Sequence, residues 1–210
     1  MPSNKRRLSA CKLYLILDAQ VIDHAKLLEV LKESVRFGID IVQLRDKFGT
    51  ARDILSFCKH ALKVTRHQVP FILNDRVDLA KLSGVDGVHV GQDDIPVADA
   101  RRLLGRNAII GTSCQNMVQA GQAQRDGVDY IGFGSVFKTL TKPERNPMDL
   151  KLLQNVLQKT DVPVFPIGGI NRDNIKALKT VGLTRAAVCR DILLASHPGL
   201  AVKAFKESLS

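Results

Sequence analysis

Aromatic residues make up only 5% of this chain. Single-stranded nucleic acids are held by basic grooves interleaved with stacking rings, and no such platform or recognition-helix motif is present. Nucleic acid is therefore not an expected partner. No apolar run approaches the roughly 20 residues a membrane-spanning helix needs, so no membrane partner is expected either. Only four cysteines occur, Cys11, Cys58, Cys114 and Cys189, widely spread, with no CxxC and no histidine pair at zinc spacing. That pattern argues against a disulfide framework and a structural zinc, and it suits a reduced, cytoplasmic protein. There is no low-complexity stretch and no interdomain linker. The start, Met1 to Leu8, is basic, and the apolar run Leu13 to Leu17 after it is too short for a signal-peptide core and ends in Asp18. Residues 1–10 read as a basic tail and 11–210 as one folded domain.

Apolar residues are 45% of the chain, enough for one core in 210 residues and too few for two generous ones. Charged residues carry a net +10, which suits either a solvated basic surface or the attraction of anionic small molecules. Eight short runs rich in Val, Ile, Leu, Phe and Tyr read as buried strands. They are Leu13–Asp18, Ile39–Arg45, Pro70–Asn74, Gly87–Gly91, Ala108–Ser113, Tyr130–Val136, Val162–Ile167 and Ala186–Cys189. Between them, Asp23 to Phe37, Arg52 to Val64, Lys151 to Gln158 and Asn174 to Lys179 place apolar residues on one helical face. Glycines just before strands, Gly38, Gly87 and Gly127, read as helix C-caps. The repeat averages about 25 residues, tight for a (β/α)8 TIM barrel, which is the expected fold. An open doubly wound sheet would carry a glycine-rich turn after its first strand, and Ala19-Gln20-Val21 has no glycine there.

In such a barrel the C-terminal strand ends share one mouth, where active sites form. Reading only those ends collects Gln43, Arg45 and Lys47, then Asn74 and Asp75, then Gln92, Asp93 and Asp94, then Ser113. The loop Lys138-Thr139-Leu140-Thr141-Lys142, the pair Gly168-Gly169, and Cys189-Arg190 complete the ring. Val162 to Ile167 runs into the two glycines and then Asn171, which reads as a helix N-cap. Glycine lets backbone approach a ligand, and a new helix offers free N–H groups to a phosphate. Gln43, Arg45 and Lys47 alternate and so share a face while extended. Arginine forks onto phosphate oxygens and lysine adds a point charge; a strand-end salt bridge of Arg45 with Asp75 is the bland reading. Asp75 and Asp94 end neighbouring strands and suit Mg²⁺, which takes one or two carboxylates plus substrate phosphates and waters. Helix capping is their bland reading. His89, inside Val88-His89-Val90, reads as a satisfied core histidine, and Cys189 as a buried small residue rather than a nucleophile.

Six segments together are similar to the thiamine-phosphate synthase family: Gln43-Leu-Arg-Asp-Lys47, Phe71-Ile-Leu-Asn-Asp75, Gly87-Val-His-Val-Gly-Gln-Asp-Asp94, Asp129-Tyr-Ile-Gly-Phe-Gly134, Thr139-Leu-Thr-Lys142 and Ile167-Gly-Gly-Ile170. Each alone is weak; all six in order and spacing are specific, and they cover nearly the whole chain. The resemblance implies a barrel enzyme that joins hydroxymethylpyrimidine diphosphate to a thiazole phosphate, or its carboxylated form, releasing diphosphate. It implies that Gln43, Arg45, Lys47, Asn74, Ser113 and Lys142 hold the pyrimidine diphosphate, with catalytic roles for Arg45, Lys142 and Ser113. It places Mg²⁺ on Asp75 and Asp94. It places the thiazole phosphate on Thr139, Thr141, Gly169 and the backbone of Val188 and Cys189. The implied mechanism is dissociative: diphosphate leaves first, the electron-rich aminopyrimidine stabilises the cation, and the thiazole nitrogen attacks. No strong base or nucleophile is required. The implied partners are small phosphorylated molecules, and a homo-oligomer remains open.

The chain departs from the family at three places. Cys114-Gln115 stand where a histidine often follows Ser113, Ser135 and Lys138 stand where proline is common, and Val188-Cys-Arg-Asp191 replaces a serine followed by alanine. Two alternatives share the barrel. A thiazole tautomerase would want a proton-transfer residue near Ser113 and has no need of the diphosphate set. A non-catalytic phosphate sensor would have no need of the Mg²⁺ carboxylates.

Overall fold

The computed structural model describes residues 8–141, 143 and 145–210. Its parallel strands close on themselves in sequence order, β1 to β8. They are β1 (Leu13–Asp18), β2 (Ile41–Arg45), β3 (Phe71–Asn74), β4 (Gly87–Val90), β5 (Ile109–Cys114), β6 (Tyr130–Gly134), β7 (Val164–Ile167) and β8 (Ala186–Val188). Closure is made by β8 on β1, where Leu13 lies opposite Ala186 and Leu15 opposite Val188. The single-domain (β/α)8 barrel expected from the sequence is the observed architecture.

Side chains alternate across each strand, which divides the core in two. In β1, Leu13, Leu15 and Leu17 pack outward with helix residues such as Leu27, Leu31 and Phe205. Tyr14 and Ile16 point inward to Ile41, Ile72, Ile109, Tyr130, Phe165 and Ala187. Both faces are buried, which is why the strands read as continuous apolar runs. Leu8, at the end of the basic N-terminal segment, also joins the inner cluster. Arg185 donates to the carbonyls of Ser9 (2.7 Å) and Cys11 (3.1 Å), just after Leu8.

The crossovers are α1 (His24–Arg36), α2 (Ala51–Thr65), α3 (Val77–Ser83), α4 (Val97–Leu104), α5 (Met117–Arg125) and α6 (Leu150–Lys159), then a 3₁₀ segment (Ile175–Val181), α7 (Arg190–Leu193) and α8 (Pro198–Ser208). Asp23 caps α1 by accepting from the Lys26 N–H at 2.8 Å, and Thr50 caps α2 by accepting from Asp53. Apolar periodicity foresaw α1, α2 and α6. It passed over α3 and α4, seven and eight residues long, because two turns are too short for a 3.6-residue period to show. The inward face of α5 is Ala120 and Ala123, which carry little hydrophobic signal.

Two local expectations need correcting. The run expected as a helix from Asn174 to Lys179 is not an α-helix: Asn174 is the N-cap of the 3₁₀ segment, and Ile175 to Lys179 lie within it. A 3₁₀ segment rises about 2.0 Å per residue against about 1.5 Å for an α-helix, so this short crossover spans more of the barrel height. Gly87 is not a helix C-cap: it opens β4, and α3 is ended by Gly84 in the left-handed conformation at φ 70°.

Candidate active site

The strand alternation that buries Tyr14 and Ile16 also aims Gln43, Arg45, Asn74, His89, Ser113 and Cys189 into the upper barrel. There they line a cavity of about 460 Å³ at the C-terminal mouth, within the range typical of small-molecule sites. Thr139, Thr141 and Gly169 line it from the loops. Gly168 and Gly169 hold φ of 105° and 64°, conformations that favour glycine. A Cβ on Gly169 would stand 2.4 Å from the Lys138 carbonyl. The β6 loop therefore lies directly on the double glycine, and the Phe137 N–H donates to the Gly168 carbonyl at 2.9 Å. This brings the threonine loop and the glycine pair together. Asn171 serves as an Asx turn, accepting from the N–H groups of Asp173 (3.0 Å) and Asn174 (2.9 Å), and not as an α-helix cap.

The mouth is electropositive. Arg45, Lys138, Arg145, Arg172 and Arg190 line the cavity, against Asp191 as a carboxylate. Arg172 is paired with Asp191 at 2.8 Å. The Arg45–Asp75 bridge of the bland reading is not formed. Arg45 donates to Asp18 at 2.9 Å and to the Gln20 amide oxygen at 2.6 Å, because Asp18 is its register partner across β1 and β2. Lys47 pairs with Asp75 instead. The loop carrying Lys47 is folded around Asp46, whose carboxylate meets His24 Nε2 at 2.8 Å and accepts from the Gly49 N–H at 2.7 Å.

Lys47, Asp75 and Asp94 sit beside the cavity rather than in its lining. Neither carboxylate caps a helix: the N-cap residues are Arg76 for α3 and Pro96 for α4, and neither start has a side-chain cap. Asp75 adopts φ 59°, a left-handed conformation that costs a non-glycine residue on the order of 1 kcal/mol. Its carboxyl is held above the ordinary range, first by burial and further by Asp94, while Lys47 pulls the other way. Asp94 itself accepts from the Gly91 N–H at 2.7 Å. Two carboxylates kept this close are relieved by a cation. Among the described residues no group of three or more His, Cys, Asp or Glu forms a closed cage. The pair thus fits a hard ion that takes most of its ligands from water and substrate oxygens, as Mg²⁺ does.

Ser113 meets His89 Nε2 at 2.9 Å, and Gln92 donates to the Ser113 carbonyl at 2.7 Å. His89 is a hydrogen-bonded interior histidine, as expected, yet it faces the lumen and lines the cavity. Val188 is not part of the cavity lining, and its side chain is in the outer core. Cys189 lines the cavity, and burial, with Asp18 nearby, pushes its thiol up to about 12. A thiol so raised is a poor nucleophile near neutrality. Iodoacetamide at pH 8 should therefore label Cys189 far more slowly than a free cysteine, as read by mass spectrometry; rapid labelling would refute this environment. Lys142 lies outside the described residues. Reading strand ends alone passed over Tyr14, Arg145 and Arg172. Strand parity points to Tyr14, which shares its face with Ile16 and Asp18.

An eight-stranded parallel barrel with a cation-rich mouth at its strand ends defines a (β/α)8 protein whose site suits small anionic molecules. Residues 13–192 match the family model described as thiamine monophosphate synthase. The thiamine-phosphate synthase of Gloeobacter violaceus is 41% identical over 207 residues, covering 98% of this chain and 60% of that longer protein. That of Clostridioides difficile is 39% identical over 194 residues, covering 91% and 92%. Among solved structures, the thiamine phosphate pyrophosphorylase from Pyrococcus furiosus superposes with a TM-score of 0.86 at 30% identity, covering 98% of this chain and 96% of that one. The chain belongs to the thiamine monophosphate synthase family, whose named members are transferases of thiamine biosynthesis. No helix among the described residues is long and apolar enough to cross a membrane.

Proposed function

We propose that this chain joins hydroxymethylpyrimidine diphosphate to a thiazole phosphate, giving thiamine phosphate and diphosphate. The observation that carries the reading is the juxtaposition of a cation-lined cavity with the Asp75–Asp94 pair on its rim. Gln43, Asn74 and Ser113 orient the pyrimidine half, and Arg45, Lys47 and Lys142 receive the diphosphate. Thr139, Thr141, Gly169 and the backbone at Val188 and Cys189 receive the thiazole phosphate. The methylene C–O bond breaks with its electron pair leaving on diphosphate. The thiazole nitrogen lone pair then forms the C–N bond, so no proton need be removed. Arg45 and Lys142 favour the first step by meeting charge that grows on the leaving group. Bound at Asp75 and Asp94, Mg²⁺ would neutralise part of that same charge. The test is incubation with both substrates and Mg²⁺, with thiamine phosphate detected by mass spectrometry; a folded protein that yields none refutes the reading.

Metal dependence gives a second test. Mg²⁺ with diphosphate should raise the melting temperature, and chelation should abolish turnover. Asp94→Asn should remove both responses, keep the affinity for thiazole phosphate, and leave the metal-free melting temperature unlowered, because one of two crowded charges is gone. A metal-free Asp94→Asn protein that melts early would make Asp94 a fold residue. One observation favours the tautomerase alternative: a histidine, His89, does reach Ser113 in space. Isomerisation of a thiazole phosphate with no pyrimidine substrate present would establish that reading.

A further inference from the structure

Along the floor of the cavity, five polar side chains form one continuous hydrogen-bonded chain across the barrel. Gln43 Nε2 donates to Tyr14 Oη at 2.7 Å, and Tyr14 Oη meets Tyr130 Oη at 2.7 Å. Tyr130 Oη meets His89 Nδ1 at 3.0 Å, and His89 Nε2 meets Ser113 Oγ at 2.9 Å. The path is built into the barrel wall by missing side chains. A Cβ on Gly111 would stand 2.1 Å from Tyr130 Cζ, and one on Gly132 would stand 3.1 Å from His89 Cε1. Tyr14 and Tyr130 are 2% and 0% exposed, and burial pushes both phenols well up, so each keeps its hydrogen.

A buried chain of this kind has a direction, because each hydroxyl owns a single hydrogen and a neutral imidazole owns one donor and one acceptor. The Gln43 amide N–H uses a lone pair of Tyr14. The Tyr14 hydrogen then goes to Tyr130, and the Tyr130 hydrogen goes to His89 Nδ1. A neutral His89 in that arrangement carries its proton on Nε2 and donates it to Ser113 Oγ. The Ser113 hydrogen is left to point at a ligand in the cavity. If the Gln43 amide turned over, every hydrogen in the chain would reverse. Ser113 would then donate to His89 and show the cavity only lone pairs.

We infer that Gln43, Tyr14, Tyr130 and His89 form a directional relay whose purpose is to hold Ser113 as a hydrogen-bond donor toward an acceptor atom of the substrate. Tyr130 and His89 are positioning residues in this scheme. The relay rests on the synthase reading only where turnover is measured; its direction is a property of the free protein.

Nitrogen-15 NMR of histidine-labelled protein, with the His89 signals assigned by their loss in His89→Gln, reads the tautomer directly and needs no substrate. The wild-type protein should show Nε2 protonated and Nδ1 bare. Gln43→Glu, whose carboxylate only accepts, should switch His89 to the Nδ1–H tautomer. Adding Tyr130→Phe to Gln43→Glu should break that coupling and cancel the switch. In the assay, Tyr130→Phe should lower kcat by about tenfold while KM for thiazole phosphate stays within about twofold, the signature of a contact that matters at the transition state. A wild-type Nδ1–H tautomer, or a tautomer indifferent to Gln43→Glu, overturns the relay. If no thiamine phosphate is formed by the wild type, the synthase reading fails while the tautomer still decides the relay. A folded Tyr130→Phe protein with normal kcat beside an active wild type removes its role in turnover.

Discussion

Replacing Lys142 with alanine is expected to lower kcat by roughly 10²–10³-fold with both substrates saturating, the scale of losing one preorganised electrostatic donor. Lys142 lies outside the described residues, and the expectation rests on its place in the chain. It follows Thr139 and Thr141, which line the cavity. Negative charge grows on diphosphate as the carbon–oxygen bond breaks, so a cation there contributes more in the transition state than in the bound substrate. Such a contact shows in kcat rather than in KM. Of its neighbours, Pro143 is exposed and Thr141 half-buried, and a loop lysine carries little packing, so the substitution should change stability by no more than about 0.5 kcal/mol. Measuring kcat beside the melting temperature decides it. A near-normal kcat would remove Lys142 from the mechanism, and an activity lost only through unfolding would do the same.

Arg45→Ala is expected to fail in both respects. Its guanidinium lines the cavity and is also the partner of Asp18, which is fully buried. Removing one member of a buried pair leaves the other charge without compensation, an effect of about 3–5 kcal/mol. Turnover should fall together with the urea midpoint. Two further variants separate the roles. Arg45→Lys keeps a charge near Asp18 but loses the fork that holds Asp18 and Gln20 together, so it should recover more stability than turnover. Arg45→Gln with Asp18→Asn removes both charges and should restore most of the stability without restoring kcat. If Arg45→Ala melts like the parent protein, the Asp18 pair is not a stabilising element; if its kcat is normal, Arg45 does not meet the diphosphate.

The contrast between these two cations shows where sequence reading succeeds. Lys142 and Arg45 were both picked out from motif order and from their position at strand ends. Nothing along the chain shows that Arg45 also holds the barrel through Asp18. Asp18 was visible as the end of the first strand, and its parity with Tyr14 and Ile16 already aimed it inward. The bland pairing of Arg45 with Asp75 failed because Asp75 follows β3 in a left-handed turn that carries it to Lys47, while Asp18 sits level with Arg45 on the neighbouring strand. Likewise α3 and α4 were too short, and α5 too alanine-rich, for periodicity to reveal.

By itself, then, the sequence determined the barrel and much of its mouth, including Gln43, Arg45, Asn74, Ser113, Thr139, Thr141, Gly169 and Cys189. Continuous apolar strand runs, strand spacing and six motifs in register are local or one-dimensional, and each is carried by the order of the residues. Tertiary structure decided the partners. Asp18 with Arg45, His89 with Ser113, Asp75 with Asp94, and the polar chain from Gln43 to Ser113 all join residues on different strands or loops. Their meeting depends on the stagger of a closed sheet and on which lumen positions are left empty by Gly111 and Gly132. That stagger is set by the packing of all eight strands at once, and no single segment encodes it.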